Sequence, residues 1–466
     1  MPEVPPYRRE AYSRIYDAVT ARKRMVVVTG PRRVGKSTLL KQVIHGLIAN
    51  QALTPGQYPS ILYFSMDDPA LKMPGFNTDQ FMNDLAQAMA ARSAVSPAYV
   101  FLDEVQRFPY WELYLKKFFD LQLPVQFVVS GSASSPIFKK SKESLLGRVD
   151  SFRVQPFSFS EWTNAKLALQ DRANALMVGD VMLLCAAEDF ALRRITIDAF
   201  IERANSLCGR SDLSPLPIND YFFEGGFPEV WDMDSLTQMQ EYLYQHQVEK
   251  VLYEDLVSVA DVRAPDLLRR FYLGLLNDPG RETNLSRLSS DLAIKRSTIE
   301  AHLPLLEATD LVWRMDKFSG VRSTPKAGNF KTYLLDVAVR NAVLKISKET
   351  LIADPGTLGH YAENVLANHL RLWPGLIDMG YFRERDREMD FVIDLGAHRL
   401  AVECKYREQQ DFREIMRLIG IAESLKCEAL VLVTKNPLPS GLRDDVCAAS
   451  GLRFAAVPLS SFLMLF

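Results

Sequence analysis

Paired cysteines are missing from this sequence. Its five cysteines (Cys185, Cys208, Cys404, Cys427 and Cys447) are scattered over 466 residues without a C-x-x-C step. That argues against a disulfide framework or a zinc ribbon and fits a reducing compartment. Long apolar runs are missing too: no stretch reaches the roughly 18 residues a membrane span needs. Met1 to Arg9 is proline-rich and charged, with no apolar core of signal-peptide length. The expected location is therefore cytoplasmic, with no membrane partner. Nor is there an excess of one charge, since 55 basic against 57 acidic residues leave a net charge of -2. Any nucleic-acid surface would have to be a local patch. Internal repeats and low-complexity tracts are absent. At 48% hydrophobic residues the composition is that of a globular protein. At roughly 150 residues per domain, the length predicts about three domains, each with its own core.

Short apolar runs at 25–29, 61–65, 99–102 and 125–130 alternate with helical stretches at 36–50 and 79–91. This pattern predicts βαβ units and a parallel sheet covered on both faces. Residues 163–217 read as helical. Tyr221 to Trp231 (YFFEGGFPEVW) reads as a turn packed on a core, and helices follow at 236–258 and 265–277. Residues 282–316 predict a helix-turn-helix with a strand-like wing, where Arg287, Lys295 and Arg296 could meet phosphates.

Gly30 to Ser37 (GPRRVGKS) fits G-x-x-x-x-G-K-[ST] at every fixed position. It lies between a buried strand and a helix, so backbone N–H groups and a helix N-terminus can surround phosphate oxygens. Gly30, Pro31, Arg32, Arg33, Val34, Gly35, Lys36, Ser37 and Thr38 are the expected nucleotide contacts. Lys36 would neutralise the β- and γ-phosphates of ATP, and Ser37 would hold Mg²⁺. The third strand delivers Asp103 as a Mg²⁺ ligand and Glu104 as the base that orients water. Ser132, at the end of the fourth strand, is the expected γ-phosphate sensor.

A second acidic group lies near the C-terminus. A two-residue turn at Gly396-Ala397 pairs Asp394 with Arg399, Ile393 with Leu400, Phe391 with Val402 and Asp390 with Glu403. Phe391, Ile393, Leu395, Leu400 and Val402 then share an apolar face, while Asp390, Glu403 and Lys405 share the other. Two facing carboxylates call for a cation between them. Oxygen ligands favour Mg²⁺ or Mn²⁺, and a lysine beside such an ion can position a water. Arg383, Arg385, Arg387, Arg399, Lys405 and Arg407 add positive charge suited to a phosphate backbone.

The phosphate loop, LDEVQ, SGSAS, LLGR, PFSFSEW, GGFPEVW and YLLDVAV together resemble a family of prokaryotic AAA+ ATPases with a C-terminal restriction-endonuclease-like domain. The resemblance implies an α/β fold with a P-loop AAA+ core at 1–160 and a helical lid at 161–263. A winged-helix-like domain at 264–330 and a PD-(D/E)XK nuclease-like domain at 331–466 would follow. It makes Arg148 the candidate arginine finger of a homo-oligomer. Asp390, Glu403 and Lys405 become the nuclease signature, and Glu363 the helical glutamate beside them, with Glu363, Asp390 and Glu403 as metal ligands. The expected function is Mg²⁺-dependent ATP hydrolysis coupled to DNA binding and cleavage. The alternative is an ATP-controlled switch or scaffold whose nuclease-like domain only binds nucleic acid or a protein partner.

Overall fold

A computed structural model describes residues 4–5, 7–51, 59–108, 110–132, 145–169, 189–190, 193–208, 217–256, 265–318 and 329–466. The first sheet holds β1 (Met25–Gly30), β2 (Ser60–Ser65), β3 (Ala98–Asp103), β4 (Val125–Ser132) and β5 (Val149–Arg153). Every pairing in it is parallel, in the order β2-β3-β4-β1-β5. The fourth strand thus lies between the strand that feeds the phosphate loop and the strand that ends in Asp103. β1, β3 and β4 are β-branched, aromatic or leucine-rich and almost wholly buried, as strands covered on both faces must be.

Helices Phe159–Leu169, Ile197–Ser206 and Ile218–Glu224 follow. Parts of the predicted helical region (170–188, 191–192 and 209–216) lie outside the described residues, as do Ala133 and Ser134 of SGSAS. Tyr221 to Glu224 is the end of a helix rather than a turn, and the chain reverses only at Gly225-Gly226. Helix Leu236–Leu243 then runs without a break into a π-helical stretch, Tyr244–Asp255.

Helix Pro265–Leu275 opens the next unit, followed by β6 (Glu282–Thr283), helices Leu285–Leu292 and Arg296–Ala308, β7 (Val312–Met315) and β8 (Phe330–Leu334). The three strands form an antiparallel sheet with β8 central. After helices Val337–Leu344 and Pro355–Leu370 come β9 (Asp378–Glu384), β10 (Arg387–Asp394), β11 (Arg399–Lys405), β12 (Ala429–Thr434) and β13 (Arg453–Pro458). They line up consecutively, antiparallel from β9 to β11 and parallel from β11 to β13.

The cores are partly shared between the units. A single apolar cluster runs from Tyr12 through Phe159, Phe227 and Tyr333 to Leu465. Separate clusters fill only the other face of the first sheet and the other face of the last one. Among the described residues, no helix is long and apolar enough to cross a membrane.

Candidate functional site

The phosphate loop leaves β1 at Gly30, where a Cβ would stand 2.0 Å from the Val154 carbonyl oxygen. No side chain fits there. Gly35 turns with φ +85°, a conformation that L side chains rarely adopt. Leu39 N–H to Gly35 O (2.9 Å) closes the first turn of helix Lys36–Gln51. Lys36 is buried, its Nζ donating to the carbonyls of Gly30 (3.1 Å) and Pro31 (2.6 Å). The ammonium is therefore held inside the curl of the loop, beside the first turn of the helix that carries Ser37 and Thr38. Positive-φ glycine, inward lysine and helix N-terminus are the features a triphosphate needs, so the residues present fit ATP with Mg²⁺.

β4 brings its end to this loop, with Gly30 level with Ser132. On its other side is Asp103, buried at the end of β3. Asp103 accepts hydrogen bonds from the Ser130 hydroxyl, the Tyr63 hydroxyl (2.7 Å) and the Glu104 N–H (3.0 Å). Glu104 follows with φ 55° and receives the side-chain N–H of Gln106. Gln106 in turn accepts the N–H of Ser132 at 3.2 Å. Lys36, Asp103, Glu104 and Ser132 thus converge. The sequence reading missed Tyr63, Ser130 and Gln106, although Gln106 stood inside LDEVQ.

Arg148 is elsewhere. Its carbonyl accepts the N–H of Met25, at the far end of β1 from the loop, and its guanidinium pairs with Asp120 at 2.8 Å.

The surrounding motifs act as clamps. Arg9 donates to both carboxylate oxygens of Glu161, in PFSFSEW, and to the loop carbonyl of Val34 at 2.7 Å. Beside the loop a cavity of about 210 Å³ is lined by Tyr7, Thr38, Gln42, Phe157 and Pro228, among others. Asp336, in YLLDVAV, accepts the N–H of Gly226 at 2.7 Å, and a Cβ on Gly225 would collide with its carboxylate. This contact explains Gly225, while a Cβ on Gly226 would stand 2.5 Å from the Phe157 main chain. Three residues on, Glu229 stands 3.9 Å from Arg33 of the loop. Buried Gln247 donates to the Arg32 carbonyl (3.1 Å), and Gln240, on the same continuous helix, donates to the Ile346 carbonyl (2.8 Å).

In the C-terminal sheet the hairpin register is as the pattern predicts from Phe391↔Val402 to Asp394↔Arg399, closed by Leu395 N–H to His398 O at 2.9 Å. Asp390 N–H donates to Glu403 at 2.9 Å, and Cys404 N–H to Asp390 at 3.1 Å. The second face is not a solvated acidic one: Val392 and Ala401 pack there under helix Phe412–Ser424. Lys331 of β8 stands as a cation between Asp390 and Glu363, not between Asp390 and Glu403. Its buried Nζ lies 2.9 Å from Glu363, 3.1 Å from Asp390 and 3.4 Å from Glu388. Tyr333 also donates to Glu363, at 2.8 Å. Lys405 pairs with Glu403 at 2.5 Å rather than standing apart to hold a water.

Burial would raise the Asp390 carboxyl, but Lys331 and Lys405 outweigh it and hold it low. Burial and repulsion from Asp390 push Glu363 and Glu403 up. The expected metal ligands therefore meet lysines, Glu363 and Asp390 meeting Lys331 and Glu403 meeting Lys405, and no cluster of three or more Asp, Glu, His or Cys among the described residues is arranged to hold a metal. Four of the five surrounding arginines are engaged as well, Arg385 being exposed. Arg383 pairs with Glu282, Arg387 with Glu384, Arg399 with Asp394 and Arg407 with Glu414. On the preceding unit, Arg287 pairs with Asp291 and Arg296 with Glu300.

Comparison with known proteins agrees on the first unit. Residues 217–350 match a domain of unknown function (DUF8612) and residues 358–455 another (DUF4143). An uncharacterized protein of Methanocaldococcus jannaschii, MJ1637, is 21% identical over 76% of this chain and 68% of its own. The uncharacterized protein Rv2008c of Mycobacterium tuberculosis is 22% identical over 95% of this chain and 83% of its own. Among solved structures, the Aeropyrum pernix ORC1 protein in complex with DNA shares 13% identity, covering 74% of this chain and 95% of its own, with a TM-score of 0.32. C. elegans PCH-2 shares 12%, covering 64% of this chain and 66% of its own, with a TM-score of 0.28. Residues 22–163 match the AAA domain family, and with their phosphate loop, acid pair and parallel sheet they form an AAA-type P-loop ATPase domain.

Proposed function

We propose that this protein is an ATP-controlled switch whose nuclease-like C-terminal unit is kept closed by its own lysine. In the ATPase domain, Lys36 and the loop N–H groups would hold the phosphates. Ser37 and Asp103 would hold Mg²⁺, which supplies charge neutralisation on the phosphates when bound. Glu104 would orient the attacking water, and Ser132 would report the γ-phosphate. The cavity bordered by Tyr7, Phe157 and Pro228 would take the base. Arg148 cannot serve its own loop from the far end of β1, which supports a role across a homo-oligomer interface once Asp120 releases it.

The single observation that carries the switch reading is Lys331, buried 2.9 Å from Glu363 and 3.1 Å from Asp390. It sits on a winged-helix-like unit that is stitched to the last sheet. Phe318 N–H donates to Tyr381 O at 2.8 Å and Tyr381 N–H to Asp316 O at 3.3 Å. The lysine is fixed in place rather than carried on a free lid. The paired arginines also weigh against a DNA surface at that site, so DNA contact would need another face. The opposing reading, metal-dependent DNA cleavage by Asp390, Glu403 and Lys405, keeps the support of the hairpin register alone.

The test gives the full chain ATP, Mg²⁺ or Mn²⁺, and labelled duplex, single-stranded and branched DNA. Expected are ATP turnover, its loss in Glu104→Gln with ATP binding retained, and no cut strand. Cleavage that vanishes in Asp390→Asn would replace the switch reading by the nuclease one.

A further inference from the structure

The side chain of Gln106 has a task that its turn does not require. The turn after β3 closes through main-chain bonds alone, Arg107 N–H to Glu104 O (2.9 Å) and Phe108 N–H to Val105 O (3.0 Å). Buried Val105 and Phe108 anchor it. The amide of Gln106 instead points back across the site. Its N–H reaches a Glu104 carboxylate oxygen, and its carbonyl accepts the Ser132 N–H at 3.2 Å. The amide donates at one end and accepts at the other; a carboxylate lacks the donor and an alkyl chain lacks both. It engages one oxygen of Glu104 and leaves the other for a water.

The second end of this bridge matters as much as the first. Ser132 is level with Gly30, where the phosphate loop begins. A displacement of that strand end by the terminal phosphate would be passed through one side chain to the carboxylate that orients water.

We infer that Gln106 is a positioning residue for ATP hydrolysis, holding Glu104 in place and coupling it to the strand end beside the phosphate loop. The inference rests on the reading of Glu104 as the water-orienting base. Gln106→Leu removes both hydrogen bonds. Gln106→Glu keeps the length but exchanges the donor for a second carboxylate that also repels Glu104, so it serves if the leucine variant folds poorly.

The experiment measures kcat and KM for ATP in wild type, Gln106→Leu, Gln106→Glu, Glu104→Gln and the double variant Glu104→Gln/Gln106→Leu. Both Gln106 variants are expected to lose roughly ten- to a hundredfold in kcat, part of what a positioned base contributes. KM should stay within about threefold, because Lys36 and the loop N–H groups that hold the phosphates are untouched. In the Glu104→Gln background, Gln106→Leu should cost nothing further, since a residue that acts only through Glu104 has nothing left to act on. An added loss in the double variant, or wild-type kcat in both Gln106 variants, overturns the inference. Wild-type turnover by Glu104→Gln overturns the base reading itself, a separate result.

Discussion

Two acidic sites on sheet strands, built from the same kinds of residue, have opposite fates in this molecule. At the end of β3, Asp103 is steadied by hydroxyls and a main-chain N–H, and Glu104 is left half-buried beside a glycine-bounded loop. The lysine of that site, Lys36, rests against main-chain carbonyls. Within β10 and β11, the lysines rest directly on the carboxylates, and both the acids and Lys331 are buried. A lysine bound to carbonyls can turn to a stronger anion when one arrives. A lysine buried among carboxylates already has its anions, and exchanging it for another cation would leave an ammonium without a partner in a dry place. What separates the two sites is therefore where the lysine is kept.

The sharpest way to break the comparison is kinetic. Glu104→Gln should lower ATP turnover by about 10² to 10⁴ fold, whereas Asp390→Asn and Lys405→Ala should leave it unchanged. Equal losses in both sites would mean that the second also takes part in hydrolysis. Next in size is Lys331→Met, which strands Asp390 and Glu363 without their counter-ion. A loss of roughly 3–5 kcal/mol is expected, read from urea unfolding. Millimolar Mn²⁺ should recover part of it in the variant and do nothing for wild type.

Third is the seam between the two halves. His369 is buried, held by Val365 O and by the Phe159 N–H at 3.1 Å, and burial lowers its pKa to about 4. The folded state thus favours the neutral ring. Its contribution is complete above the unfolded value of about 6.5 and is lost as pH falls from there toward 4, roughly 3 kcal/mol in all. His369→Phe should flatten the fall in melting temperature across that window. Least should come from the exposed pair Arg296–Glu300: Arg296→Ala should change stability by no more than about 0.5 kcal/mol.

Elements with a local signature were legible in advance. β1, β3 and β4 are unbroken apolar runs, the phosphate loop is a contiguous motif, and the β10–β11 register follows from a two-residue turn and alternation. Helices Leu285–Leu292 and Arg296–Ala308 fall within the stretch read as a helix-turn-helix. What was not legible depends on distant partners. Lys331 meets Glu363 and Asp390 from 32 and 59 residues away, and nothing in its own neighbourhood marks it. The arginines around Asp390 look like a basic patch in one dimension because their acids come from other elements, as Glu282 does for Arg383. GGFPEVW and YLLDVAV were each visible as motifs, but their contact, Gly226 with Asp336, was not.

The shared core also has a consequence in time. Phe159 belongs to the first unit made, yet its N–H is bonded to His369, 210 residues later in the chain. At a ribosomal rate of about 5–20 residues per second, that partner emerges roughly 10–40 s afterwards. Throughout that interval Phe159, Trp162 and Tyr221 would stand without the chain that covers them, a greasy half-built surface on a nascent polypeptide. Newly made molecules should therefore lean on chaperones until the last strand is released.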